Sequence, residues 1–170
     1  MKYDDNVESR YGIKLVDDRT IRKEAEFSQR ENFEWIRKLV LHLIANPDPM
    51  VVPIYRFEVI TETSDRDDRR WGHYKYAYEM MRLPMLTHDE KELITAMIQR
   101  RWTSNNPPPD ATIEEGRRNF PDLVAFMTRV LAEGNYTDLH DNNFLKDEQG
   151  NYRIIDLEGF SRYPSIGNRQ

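Results

Sequence analysis

The stretch Tyr136–Phe160, YTDLHDNNFLKDEQGNYRIIDLEGF, constrains the fold of this chain more than any other. It runs from a polar loop into the apolar pair Phe144-Leu145, through Asp147-Glu148-Gln149-Gly150, and into a second apolar pair, Ile154-Ile155. A glycine-bearing turn between two short apolar runs predicts a β-hairpin. A hairpin returns the chain to where it began. Asn143, just before the first strand, therefore comes near Asp156, at the end of the second, and Asp138 lies on the loop leading in. Two carboxylates and a carboxamide oxygen gathered this way suit Mg²⁺, and leave one carboxylate to orient a hydroxyl. The competing interpretation is an Asn-rich turn with solvated acids.

Composition narrows the class of protein around this stretch. At 170 residues and 38% hydrophobic content the chain is long enough for a real core. Its net charge of −5 gives no general basic field for nucleic acid. The absence of cysteine excludes disulfides and thiolate metal sites. His42, His73, His88 and His140 are scattered without ligand spacing, which argues against zinc. The N-terminus, MKYDDNVESRYG, lacks the apolar core of a signal peptide, and no apolar run is long enough for a membrane span. A cytoplasmic protein is expected, with no membrane and no nucleic-acid partner.

Taken in order, residues 1–10 are polar and read as a short edge strand or a frayed arm. Gly12–Val16 and Thr20–Ala25, separated by Asp17-Asp18, predict a first hairpin. Alternation places Ile21, Lys23 and Ala25 on one face. A lysine between Ile and Ala on the apolar face is unusual, although a stem lying over apolar surface with its ammonium in solvent gives the same pattern. A helix follows from Ser28, with Glu31 completing a capping box, to Ala45, where Asn46-Pro47-Asp48-Pro49 ends it. Met50–Thr63 and Trp71–Leu83 predict two strands around the charged turn Ser64–Arg70. Helices are expected from Thr87 or His88, over 111–118, and over Phe120–Glu133, the last stopped by Gly134. Three prolines make Asn105–Asp110 a surface loop.

The motif Asp138-x-x-x-x-Asn143, followed after a hairpin by Ile154-Ile155-Asp156, resembles the catalytic and metal-binding loops of the protein-kinase-like superfamily. The Asp138-Leu139-His140 spelling is closer to aminoglycoside and choline phosphotransferases, and to small phage or bacterial kinase-like proteins, than to eukaryotic protein kinases. The resemblance covers roughly residues 11–160. It implies an α+β fold of two lobes: a small antiparallel sheet with one helix over 1–83, then a short, mainly helical lobe over 84–170.

Residue by residue, the resemblance makes Asp138 the catalytic carboxylate and Asn143 and Asp156 the metal ligands. Lys23 becomes the lysine on the nucleotide phosphates, with Lys14 as competitor, and Glu34 its ion-pair partner, with Glu31 held open. An acid solvated on an amphipathic helix remains the other account of Glu34. Glu79–Leu83 would be the hinge, with Glu79 and Met81 at the adenine, although Met and aromatic residues there read equally as core. The implied cofactors are ATP and Mg²⁺, and the implied activity is phosphoryl transfer to a hydroxyl acceptor. Two departures support a second interpretation, a pseudokinase-type binding protein. Gly12 is the only glycine before Gly72, so no glycine-rich loop covers phosphates. Only Leu157–Gln170 follows Asp156, which leaves most of the C-terminal helical subdomain unbuilt. A protein partner or a second copy is then expected to complete that lobe.

Overall fold

The computed structural model describes residues 12–103 and 109–169; the N-terminal arm and most of the Asn105–Asp110 loop lie outside the described residues. The chain begins with strands β1 (Ile13–Leu15) and β2 (Thr20–Gln29), helix α1 (Arg30–Ala45), and strands β3 (Ile54–Ser64) and β4 (Trp71–Met81). Helices α2 (His88–Gln99), α3 (Ala111–Asn119) and α4 (Pro121–Glu133) follow. Two short hairpins come last: β5 (Phe144–Lys146) with β6 (Tyr152–Ile154), and β7 (Arg162–Tyr163) with β8 (Gly167–Asn168). The fold is α+β. It divides into a helical unit, residues 83–161, and a sheet unit formed by the described residues through Arg82 together with those from Arg162 onward.

In the sheet unit four strands pair antiparallel in the order β1-β2-β4-β3. Strand alternation puts Ile21, Lys23 and Phe27 opposite Met80, Tyr78 and Tyr74 on one face. Helix α1 covers that face with Phe33, Ile36, Leu39, Val40 and Leu43, which recur at helical spacing and are buried. Phe33 stacks on Tyr74 at 5.1 Å, and Tyr76 stacks on Phe27, Phe57 and Tyr78. Each buried ring of this kind contributes about 1.5–3 kcal/mol by removal of apolar surface from water.

The start of α1 differs from the sequence expectation. Ser28 still belongs to β2, and the N-cap residue is Gln29, whose side chain makes no capping bond. The reason is in the sheet. Gln29 pairs with Trp71 after a register shift, and the first helical amide, Arg30 N, donates to Arg70 O at 2.9 Å. Backbone from the turn before β4 does the work that Ser28 and Glu31 were expected to share.

Residues 162–169 pack on the sheet unit rather than with the helices that precede them. The Tyr163 hydroxyl donates to Asp48, Lys38 Nζ donates to Ile166 O at 3.0 Å, and Arg169 Nε donates to Asn32 Oδ1 at 3.0 Å. Arg169 also lies over the Phe27 ring.

In the helical unit α2 is closed at its N-terminus by a capping box between Thr87 and Glu90. Its buried stripe is Leu93, Ile94 and Met97; that of α4 is Leu123, Val124, Met127 and Val130. Phe126 of α4 meets Phe144 and Tyr152, which project from one face of the β5–β6 hairpin. Gly134 ends α4 in the left-handed region, φ 65°, where a residue with a Cβ is strained. Among the described residues no helix is long and apolar enough to cross a membrane.

Candidate functional site

The loop after α4 is pinned at its base. Ser161 N donates to Asn135 O (3.0 Å), Thr137 N donates to Gly159 O (2.9 Å), and Tyr136 bridges Phe160. The approach is close enough that a Cβ on Gly159 would lie 2.4 Å from Tyr136 Cζ, so only glycine fits. The chain then passes Asp138 and makes one short turn at Asp141–Asn143 before entering β5.

Asn143 is the organising residue. It is 6% exposed, and its main chain is bonded on both sides: its amide donates to His140 O, and its carbonyl accepts from Ile155 N, both at 3.0 Å. The second bond extends the hairpin ladder by one step beyond the Phe144–Ile154 pair and leaves Asp156 as the next residue. The Asn143 side-chain nitrogen donates to Asp138 O at 2.9 Å and to Asp138 Oδ2 at 3.1 Å. With its nitrogen on Asp138, the amide oxygen faces away from that carboxylate. Asp138 is exposed and Asp156 half-buried. Hydrogen bonds thus join Asp138 to Asn143 and Asn143 to Ile155, the residue before Asp156.

Among the described residues no group of three or more His, Cys, Asp or Glu side chains is placed to hold a metal. The open end of the hairpin carries the Asn143 carboxamide, the Asp138 carboxylate bonded to its nitrogen, and Asp156 one residue after Ile155. That composition does not suit zinc or a fully protein-ligated Ca²⁺. It fits Mg²⁺, which keeps several waters and takes one or two protein ligands together with phosphate oxygens.

The closed end of the same hairpin is built differently. Asp147, 4% exposed, accepts the amides of Gln149 (3.0 Å) and Asn151 (2.8 Å) and two bonds from the Arg153 guanidinium (3.1 and 3.0 Å). Burial pushes its carboxyl up, but the Asn151 amide and Arg153 outweigh burial and hold it below the usual range. Glu90, 1% exposed, reaches the hairpin from α2. It accepts from the Tyr152 hydroxyl, from Lys146 Nζ at 3.2 Å, and from Thr87 N (3.1 Å) and Oγ1 (3.0 Å). Burial again pushes upward and is outweighed, first by the Tyr152 bond, so this carboxyl too is lowered. Burial and then Glu90 raise the Tyr152 phenol.

The remaining predicted site residues belong to the sheet unit. Lys23 is buried, 7% exposed, and its ammonium lies 5.8 Å from the Tyr78 ring centroid; Lys14, on β1, is exposed. The face predicted by alternation is the one observed. Glu34 is nearly half exposed and accepts from Arg30 Nε at 2.8 Å, one helical turn away. Glu31 is exposed as well. Glu79 sits inside β4 opposite Arg22, and Met81 N donates to Pro53 O at 3.0 Å. Arg82 N donates to Arg19 O at 2.8 Å, so the amides of Met81 and Arg82, two residues of the expected hinge, are engaged in the sheet unit.

Sequence reasoning passed over Glu90 and Gly159. The first had a visible signal, Thr87-x-x-Glu90 directly before an apolar run, which is the capping-box pattern. The second had none, because its requirement comes from Tyr136, far away in the chain. Compared with protein-family models the chain matches none, and no curated protein matches it.

Proposed function

We propose that the chain is an ATP- and Mg²⁺-dependent phosphotransferase of the protein-kinase-like kind, acting on a hydroxyl acceptor. The observation that supports this most is Asn143, buried and bonded through one nitrogen to Asp138 and through its carbonyl to the residue before Asp156. A buried amide held this way presents its oxygen as a ligand, while Asp138 stays exposed, where an acceptor can reach it. In the reaction the acceptor oxygen forms a bond to the γ-phosphorus, the bond to the bridging oxygen of ADP breaks, and Asp138 takes the hydroxyl proton. Asn143 and Asp156 would hold Mg²⁺, which when bound neutralises phosphate charge. The resemblance alone would give Lys23 the phosphate oxygens and Glu79–Leu83 the adenine.

A second interpretation has an observation of its own. The β1–β2 turn, where a kinase-like fold covers phosphates with glycine-rich backbone, holds Asp17 and Asp18. Its amides at Val16 and Asp17 donate to Thr20 O, and the Arg19 amide donates to Asp17 Oδ1. An acidic, self-bonded turn is a poor cradle for triphosphate. It favours a pseudokinase-type protein that keeps the fold and acts by occupying a partner protein or a second copy.

Titration of ATP with and without Mg²⁺ into Asp138→Asn and Asp156→Asn separates the two interpretations. For the enzyme, Asp156→Asn loses the Mg²⁺-dependent part of ATP affinity, whereas Asp138→Asn binds ATP·Mg²⁺ normally and releases no ADP. Wild-type protein that binds no ATP under either condition contradicts the enzyme.

A further inference from the structure

A hairpin with three residues in each strand has no stability of its own in water. The geometry at the open end of β5–β6 must therefore be imposed from outside. Phe144, Lys146, Tyr152 and Ile154 form the two outer rungs of its ladder, Phe144–Ile154 and Lys146–Tyr152, on one face. Aromatic contacts from Phe126 touch both rungs. These contacts resist separation but slide easily. The directional contact is polar: Lys146 Nζ and the Tyr152 hydroxyl, one from each strand of the second rung, both end on the Glu90 carboxylate. Glu90 is in turn fixed by the Thr87 amide and hydroxyl at the start of α2, and α2 packs against the Asp141–Asn143 turn.

We propose that Glu90 is a positioning residue for the candidate metal ligands: by gripping the Lys146–Tyr152 rung it sets the register and tilt of the hairpin, and so the separation of Asn143 from Asp156. The two rungs are two residues apart, roughly 7 Å along the strands. A shift at the second rung passes directly to the Asn143–Ile155 step beyond the first. A buried carboxylate is a costly way merely to fill space, and an apolar side chain of similar volume often stabilises a core as well or better. A directional grip on two strands at once is what the charge adds. The Lys146 ammonium also lies over the Tyr152 ring, which joins the two donors. The proposal rests on the phosphotransferase interpretation for its function, but its geometric part does not.

The test uses the whole chain and two readouts. The first needs no ligand: amide hydrogen exchange at Ile155, whose N–H is bonded to Asn143 O, relative to Met127 in α4. In Glu90→Gln, which keeps size and loses charge, Ile155 exchange is expected to rise about tenfold or more over wild type while Met127 changes little. The second is Mn²⁺ affinity in the presence of ATP, read from the free-ion spin resonance signal. It is expected to fall about tenfold, as for loss of an outer-shell partner, with metal-free ATP affinity unchanged. Glu90→Asp restores part of both. If Glu90→Gln does not fold, Tyr152→Phe, which keeps the ring and removes one grip, is expected to move both readouts the same way by a smaller factor. Equal acceleration at Ile155 and Met127, or none at Ile155, overturns the positioning role. Wild-type protein that binds no Mn²⁺ with ATP overturns the phosphotransferase interpretation, and the exchange result still decides the role of Glu90.

Discussion

The two ends of the β5–β6 hairpin carry carboxylates of opposite character. At the closed end, Asp147 and Glu90 are nearly inaccessible and saturated with donors, and both titrate below their ordinary values. At the open end, Asp138 is exposed and Asp156 half-buried, and the buried group between them is a neutral amide. The same residue types, about 10 Å apart along one hairpin, are spent on structure at one end, while at the other Asp138 stands exposed. Burial with full hydrogen bonding marks an acid that holds the fold. Exposure beside a rigidly held polar neighbour marks one that can meet a ligand.

Substitutions break this contrast in different ways. On the phosphotransferase interpretation the largest expected effect belongs to Asp138→Asn: phosphoryl transfer falls by about 10²–10⁴-fold, the usual worth of a general base, with the melting temperature nearly unchanged. Transfer kinetics measured beside a thermal melt check it. Next is Arg153→Met at the closed end, which removes both guanidinium bonds to Asp147 Oδ2 and leaves only the amide bonds to Oδ1. Removing one partner of a buried pair costs about 3 kcal/mol or more; because Arg153 is 17% exposed, the lower figure is expected in urea unfolding.

Acid should expose the contrast as well. Glu90 and Asp147 have folded values below their unfolded ones, so the unfolded chain binds more protons in acid. Their stabilisation is complete above the ordinary carboxylate range, near pH ~4, and is lost as pH falls through the lowered folded values. Urea midpoints between pH 6 and 2 are expected to drop on that limb, and Glu90→Gln is expected to flatten it. A smaller effect is expected from Tyr152→Phe, about 1.5 kcal/mol for one hydrogen bond to a charged acceptor. The smallest is Glu148→Ala on the exposed turn, within about 0.5 kcal/mol.

Much of this arrangement is legible in the sequence because it is local. The polar loop, the two apolar pairs and the Gly150 turn lie within one stretch, and pairing them brings Asn143 to Ile155 without any distant information. The face of β2 that carries Lys23 follows from alternation alone. The rest depends on partners far away in the chain. Ser28 looks like a helix cap, yet Arg70 from the next hairpin supplies the acceptor and β2 continues through it. Glu34 has Arg30 one turn away, a contact that spacing permits but does not require. The return of Tyr163 to Asp48 crosses most of the chain, and no periodic pattern announces it.

On the phosphotransferase interpretation the open end of the hairpin, and not the closed end, receives the metal. Paramagnetic broadening of amide signals by Mn²⁺ in the presence of ATP measures it directly, because broadening falls steeply with distance. The account predicts that the Asn143 side-chain and Ile155 backbone signals vanish first, while the Gln149 and Asn151 amides around Asp147 persist. Broadening that begins at Gln149 and Asn151, or that leaves Asn143 untouched while other signals fade, would contradict it.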